Sequence, residues 1–288
     1  MAVALDHQAS NLMLTIRNTS VSISTQTPVA RWVRSTSRAV CDFFYPAHCI
    51  ACGYSISLHE EHLCGACWDR LPLVPTARCQ RCSYAPPEAV DPAEASSLQA
   101  RADTDSADPA CPNCNTWTVD PERVLAWARF DDITSDLVHA IKFGGKRRLA
   151  RLVGYRLGCS PALREDLREV DVLVPVPLHS TRQRERGYNQ SLCIAQGLAD
   201  ALDKPLALNL VKRSRATQQQ AKLDGGARFD NVHGAFEACG RAPANPLIGL
   251  VDDVSTTGAT IADCGRALKA AGARSVWGVV VASAFRRA

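Results

Sequence analysis

The stretch Ile248-Gly249-Leu250-Val251-Asp252-Asp253-Val254-Ser255-Thr256-Thr257-Gly258-Ala259-Thr260 decides the fold of this chain. Its apolar opening predicts a buried strand. Behind it Ile261, Cys264, Leu268 and Ala271 recur at helical spacing, with Gly272 placed to cap the helix end. The order is therefore strand, acidic pair, hydroxyl-rich turn, helix. A helix start presents backbone N–H groups and the positive end of the macrodipole, which together bind phosphate. Thr256, Thr257 and Thr260 add hydroxyl donors, and Gly258 lets backbone approach a ligand closely. The acids stand at the carboxyl end of the strand, where open α/β sheets place their ligand crevice. Asp252 and Asp253 can accept sugar hydroxyls or hold Mg²⁺ through water. A plain turn with Asp253 or Ser255 as helix N-cap would need one polar residue, not a pair and a glycine turn. A Walker-type nucleotide loop is excluded, because no Gly-Lys-Ser/Thr occurs here.

Working outward, residues from about 121 alternate strand and helix patterns. Val124–Phe130, Val170–Val176, Leu247–Val251 and Ser275–Ala282 read as strands. Ile133–Phe143, Leu192–Leu202 and Thr260–Ala271 read as helices. Such alternation predicts a mainly parallel sheet flanked by helices. The strand ending in Pro175-Val176-Pro177-Leu178-His179 runs into a loop carrying Arg182, Arg184, Arg186, Gly187 and Asn189. Guanidinium forks grip phosphate oxygens bidentately, so this loop suits a diphosphate, although a solvated basic loop is the alternative. His179 is expected to cap the turn. Further basic clusters, Lys142 to Arg151 and Lys212 to Arg215, fall at or near expected loops.

The amino-terminal third has a different texture. Eight of the thirteen cysteines form four Cys-x-x-Cys pairs: Cys49/Cys52, Cys64/Cys67, Cys79/Cys82 and Cys111/Cys114. Each pair lets two thiolates of one turn grip one tetrahedral ion, so the set predicts one or two structural Zn²⁺ sites. Sequential and crossed pairing both fit. Disulfides would need an oxidising compartment and no signal peptide is evident; a redox motif would occur once rather than four times. His48, His59 and His62 could substitute for a thiolate. Cys41, Cys159, Cys193, Cys239 and Cys264 are expected to be buried small hydrophobes. Direct nucleic-acid contact by the cysteine module is the weaker reading, since basic and aromatic residues are sparse in it.

At 46% hydrophobic and 22% charged the chain reads as globular, and a net charge of +4 is too small for bulk nucleic-acid binding. No run of about 18 apolar residues is present to span a membrane, and a cytoplasmic location is expected. Residues 1–28 read as a disordered extension, loosely like a transit peptide in having Arg17 and a single acid, Asp6, or equally an arbitrary start-codon extension. A zinc-binding double-ribbon-like module is expected at 29–120, with a disordered insert at about 86–109. The α/β domain is expected at 121–288.

The 252–260 run resembles the phosphoribosyl-diphosphate (PRPP) signature of type I phosphoribosyltransferases. The chain as a whole resembles the ComF/GntX family, amidophosphoribosyltransferase-like proteins linked in many bacteria to uptake of transforming DNA. Asp42-Phe43-Phe44-Tyr45-Pro46, the knuckles, His139-Ala140-Ile141-Lys142-Phe143, Arg184-Glu185-Arg186-Gly187-Tyr188-Asn189-Gln190 and Arg213 to Gln220 carry the likeness, together with Arg228 and Asn231-Val232. The resemblance implies a type I phosphoribosyltransferase fold behind an N-terminal Cys₄ module. Asp252 and Asp253 would bind the ribose and stabilise its developing charge, with Lys142 projecting into the same crevice. Ser255, Thr256, Thr257, Gly258, Ala259 and Thr260 would hold the 5′-phosphate, and Arg182 to Asn189 the diphosphate with Mg²⁺. A flap at 212–231 would supply Arg213, Thr217 and Gln218. The implied partners are PRPP and either single-stranded DNA or a DNA-uptake helicase. A PRPP sensor without turnover is the alternative to an enzyme.

Overall fold

The structure, a computed structural model, describes residues 47–56, 62–85, 111–113, 121–215, 234–242 and 245–284. The expected tail at 1–28, the insert at about 86–109, Cys41, Cys114, Thr217 and Gln218 lie outside the described residues.

Two similar knuckle turns open the molecule. In each, the first cysteine's N–H donates five residues on, Cys49 to Tyr54 O and Cys79 to Tyr84 O, both at 2.8 Å. Each turn also closes back on its first cysteine carbonyl, from Gly53 N and Ser83 N, both at 2.9 Å. The repeat is written in the sequence as Cys-Ile-Ala-Cys-Gly-Tyr and Cys-Gln-Arg-Cys-Ser-Tyr. Gly53 and Ser83 both have positive φ, the shared backbone requirement of the turn. A short helix α1 (Gly65–Asp69) carries the second knuckle.

The rest is a parallel sheet covered on both faces. Strands β1 (Arg123–Arg129), β2 (Val172–Pro175), β5 (Leu247–Ser255) and β6 (Ser275–Ser283) lie in the order β1-β6-β5-β2. All three pairings are parallel, with Val124 opposite Gly278, Val251 opposite Val279 and Val174 opposite Leu250. The two central strands are apolar almost throughout, as expected where both faces are covered. A separate antiparallel pair, β3 (Val211–Arg213) and β4 (Phe236–Ala238), forms a small hairpin-like layer.

One face carries α2 (Asp132–Phe143), α3 (Arg147–Gly158) and α6 (Gln190–Leu202), whose Leu137, Ile141, Val153, Leu157, Ile194 and Leu198 pack over Val251 and Val279. The other carries α7 (Ala259–Ala270), with Ile261, Cys264 and Leu268 packed on Ile248, Leu250 and Val280 beside Phe236. Each fully buried leucine contributes roughly 1.5–3 kcal/mol. Helices α3 and α6 cross in backbone contact: a Cβ on Gly197 would stand 1.8 Å from Arg151 O, and one on Gly154 would stand 1.9 Å from Ile194 O. Along the chain between α3 and α6 lie two short helices, α4 (Arg164–Glu169) and α5 (Ser180–Arg186).

Both sheet edges are covered. The cysteine module runs along β1, where Val74 N reaches Trp127 O and Arg129 N reaches Pro72 O, each at 2.9 Å. At the far edge Leu206 bridges Leu173 in parallel. Covering an edge removes a template for intermolecular strand pairing.

Two sequence expectations need correction. The basic cluster from Arg147 to Arg151 opens α3, and Arg182, Arg184 and Arg186 ride on α5, so neither is loop. Among the five leftover cysteines, Cys193 and Cys264 are buried as expected, but Cys159 and Cys239 are exposed.

Candidate functional site

The strand that carries the acidic pair is longer than its apolar run. β5 continues to Ser255, pairing Asp252 with Val280 and Ser255 with Ser283, so both acids emerge from the last part of a central strand. They border a cavity of about 390 Å³. Asp253 is buried, and its carboxylate receives Lys142 Nζ from α2 and Gln190 Nε2 from the start of α6, both at 2.8 Å. Asp252 accepts from Ser191 Oγ at 2.8 Å and from the N–H of Asp253 at 2.9 Å. Desolvation, and then the neighbouring Asp253 carboxylate, pushes the Asp252 carboxyl up to about 7, against the pull of Lys142 and Ser191. Three elements thus converge to hold two carboxylates side by side.

Cations border the same cavity. Arg182 and Arg186 from α5 and Arg213 from β3 line it with Lys142. Burial and then Arg186 hold the Arg182 guanidinium below its usual range; burial and then Arg182 do the same to Arg213. Crowded, partly desolvated guanidiniums repel one another and gain from a polyanion placed between them. Arg186 also donates to Gln190 Oε1 at 2.8 Å and stacks over the Phe143 ring at 5.1 Å.

The turn after β5 ends at Gly258, the N-cap of α7, with φ of +73°. Gly258 has no side chain to cap α7, and the first amide of the helix, Ala259 N–H, donates to Thr257 Oγ1 at 3.5 Å. A Cβ at Gly258 would lie 2.9 Å from Pro121 Cγ, so glycine is required both by φ and by space. Thr256 and Thr260 line the cavity, whereas Ser255 is buried in the sheet and Thr257, Gly258 and Ala259 are not among the lining residues.

Not every expected residue faces the cavity. Arg184 is exposed on α5 and is not among the lining residues. Gly187 is the left-handed C-cap of α5, and its carbonyl accepts from Arg147 Nη2. Asn189 caps α6 through Ser191 N and donates to Val176 O, both at 3.0 Å. His179 caps α5 by accepting from Thr181 N at 3.4 Å. Sequence reasoning left Gln190 and Ser191 without a role, and nothing local distinguishes them from ordinary first-turn residues. It also passed over Asp263, a buried carboxylate of α7 that accepts from Gly234 N and Ala235 N at 3.0 Å and from Phe236 N at 3.3 Å. Asp263 ties the β3–β4 pair, and so Arg213, to the helix that begins at the turn.

The cysteines resolve into sequential groups. The Sγ atoms of Cys49, Cys52, Cys64 and Cys67 lie within 4.8 Å of one another, as do those of Cys79, Cys82 and Cys111. Cys52 and Cys64 are 3.7 Å apart, and so are Cys82 and Cys111. A tetrahedron of Zn–S bonds of about 2.3 Å has edges of about 3.8 Å, so the four thiols of the first set fit zinc and the three described thiols of the second supply three corners of such a site. Cys64 N donates to Cys49 Sγ at 3.4 Å, the outer hydrogen bond that steadies a thiolate ligand. Burial raises the Cys49 thiol, but N–H groups of Cys52, Cys64 and Ala51 outweigh it and bring it down to about 6. Burial and the neighbouring thiols push Cys67 up. The crossed pairing is excluded, and His48 is not needed: its ring bonds Gly53 O at 3.1 Å.

An α/β protein with a parallel sheet, a glycine turn after two adjacent acids and an appended structural zinc module is the class so defined. The double zinc ribbon domain matches residues 40–114. The chain is 31% identical over 223 residues to the DNA utilization protein YhgH of Salmonella typhimurium, covering 74% of this chain and 94% of that one. It is 29% identical over 245 residues to Competence protein F of Haemophilus influenzae, covering 82% and 97% respectively. Competence protein ComFC of Bacillus subtilis is 35% identical over 97 residues, 34% of this chain and 38% of that one. Among solved structures, the allosteric regulatory enzyme of purine biosynthesis aligns over 46% of this chain and 25% of its own, at 21% identity and a TM-score of 0.30. A hypoxanthine phosphoribosyltransferase of Staphylococcus aureus aligns over 46% and 62%, at 13% identity and a TM-score of 0.30. The chain belongs to the ComF family, with the zinc module at its amino-terminal end.

Proposed function

We propose that the cavity binds PRPP and that the chain is a phosphoribosyltransferase. The observation that carries this reading is the meeting of Asp252 and Asp253 with Thr256 and Thr260, which flank the Gly258 turn, and with the Arg182, Arg186 and Arg213 guanidiniums around one space. A phosphorylated, diphosphate-bearing sugar needs these groups together: donors for a terminal phosphate, acceptors for ribose hydroxyls, and cations for a leaving diphosphate.

In this reading the 5′-phosphate sits at the start of α7, against the amides of Gly258 and Ala259 and the hydroxyls of Thr256, Thr257 and Thr260. The carboxylates of Asp252 and Asp253 accept the ribose hydroxyls. As the C1–O bond breaks, its electron pair leaves with the diphosphate, where Arg182, Arg186 and Arg213 stabilise the charge. Positive charge grows on the ribose beside the two carboxylates, which stabilise it electrostatically. Lys142, held by Asp253, keeps the pair oriented and can turn to the diphosphate. Mg²⁺ would be held by diphosphate oxygens and, through water, by Asp252 and Asp253, and would neutralise charge on the leaving group. Thr217 and Gln218, which the resemblance also implies as ligand contacts, lie outside the described residues.

The relatives are named for competence and DNA use, and we read this chain as serving uptake of transforming DNA or nucleotide-related metabolism. A sensor that binds PRPP without turnover, acting through single-stranded DNA or a helicase, shares every binding contact. Pyrophosphate release from PRPP, measured across a panel of acceptors, separates the two. Release that falls about 10- to 1000-fold in Asp252→Asn or Asp253→Asn supports the enzyme. Binding without release supports the sensor.

A further inference from the structure

The cavity has an apolar and aromatic side that the sugar and its phosphates leave unused. Helix α2 turns a stripe of Ser135, Val138, His139, Lys142 and Phe143 toward it, at the three- and four-residue spacing of one helix face. Phe130, at the end of β1, lines the same space. Phe143 is 60% exposed and Phe130 42% exposed, so both rings keep a large part of their surface open. The ring centroids of His139 and Phe143 lie 4.9 Å apart, with the planes tilted by 44°. Lys142, one turn from His139, is paired with Asp253, so the aromatic stripe lies beside the carboxylates. Phe143 carries the Arg186 guanidinium at 5.1 Å, yet both phenyl rings stay largely open to water, and a flat apolar ligand at this wall offsets that exposure.

We propose that Phe130, His139 and Phe143 form the acceptor wall of this cavity, and that the acceptor is a planar heteroaromatic base rather than ammonia. The proposal rests on the sugar-phosphate reading above and deepens it. The base stacks on the ring faces while Ser135 Oγ and the His139 imidazole offer polar contacts to its edge. A ring nitrogen forms the new bond to C1 as the C1–O bond breaks. The electron pair of that bond goes to the diphosphate, and the ring N–H proton goes to water at the cavity mouth. Ammonia would need neither the rings nor the space.

The test is calorimetry on the full chain with three probes: ribose 5-phosphate, AMP and UMP. Base–aromatic stacking predicts that at least one nucleotide binds about tenfold tighter than the bare sugar phosphate. Phe143→Ala and His139→Ala should erase that advantage while ribose 5-phosphate binds as before, and Phe143→Tyr should retain it. Phe143 is exposed, so its removal leaves the core intact, and circular dichroism checks this. Equal affinities for all three probes, or an advantage that survives both alanine substitutions, would overturn the wall while leaving the sugar-phosphate reading standing. Failure of ribose 5-phosphate to bind at all would overturn that reading and the wall with it.

Discussion

At the scale of single residues, Asp252 sets a trade between binding and stability. Its carboxyl is raised to about 7 by desolvation and then by Asp253, so ionisation is harder in the folded chain than in the unfolded one, where it titrates near 3.9. Stability from this group is therefore complete below about pH 4 and is lost as pH rises through about 7. Asp252→Asn, which still accepts from Ser191 and from the Asp253 N–H, should raise the ligand-free melting temperature at pH 8. The expected gain is about 2–4 °C, for a change of about 1 kcal/mol, and it should close near pH 4. A thermal melt series from pH 4 to 8 checks it; a gain that does not depend on pH contradicts the assigned cause. Gly258→Ala should act in the opposite direction. Its φ of +73° and the approach of Pro121 both disfavour a side chain, giving a loss of about 1–3 kcal/mol by denaturant unfolding. The acidic pair and this glycine were legible in the sequence because each is a local signal. Asp263 was not: one carboxylate on a helix says nothing of the amides of residues 234–236 that it holds.

At the scale of elements, an ion cluster joins the cysteine module to the sheet. Asp166 of α4 accepts from Arg78 at 2.5 Å and Arg123 at 2.7 Å, and Arg123 also stacks on Trp277 at 4.6 Å. Arg78 is buried, so removing its anion leaves an uncompensated charge. Asp166→Ala should therefore destabilise by about 3 kcal/mol, read from chemical denaturation, whereas an exposed pair such as Arg168–Glu165 should contribute about 0–1 kcal/mol. The elements that sequence reading found are those with a clear apolar period: β1, β2, β5, β6, α2, α6 and α7. Helix α3 was hidden behind its arginines, although Leu149, Val153 and Leu157 fall four residues apart. Helix α5 buries no residue, so no period marked it, and only its His179 and Gly187 caps betray it.

At the scale of the whole molecule, the metal module and the α/β domain are mechanically one edge. Residues 72–74 and 81–83 hydrogen-bond along β1, and Arg156 of α3 stacks on Trp68 at 4.1 Å. Loss of the first thiolate group should therefore be felt in the sheet. Cys64→Ser with Cys67→Ser should lower zinc content by about one equivalent per chain and lower the melting temperature of the remainder. Metal analysis that finds zinc undiminished excludes those ligands. Sequence spacing made the knuckles legible and left their pairing open, because pairing is fixed only when the chain brings Cys52 within 3.7 Å of Cys64. The central claim is that the space bordered by Asp252, Asp253 and the Gly258 turn receives PRPP. Calorimetric titration of PRPP with Mg²⁺ into the full chain tests it most directly. The account predicts saturable binding that weakens about tenfold or more in Asp253→Asn; no binding by the wild-type chain, or equal binding by the variant, would contradict it.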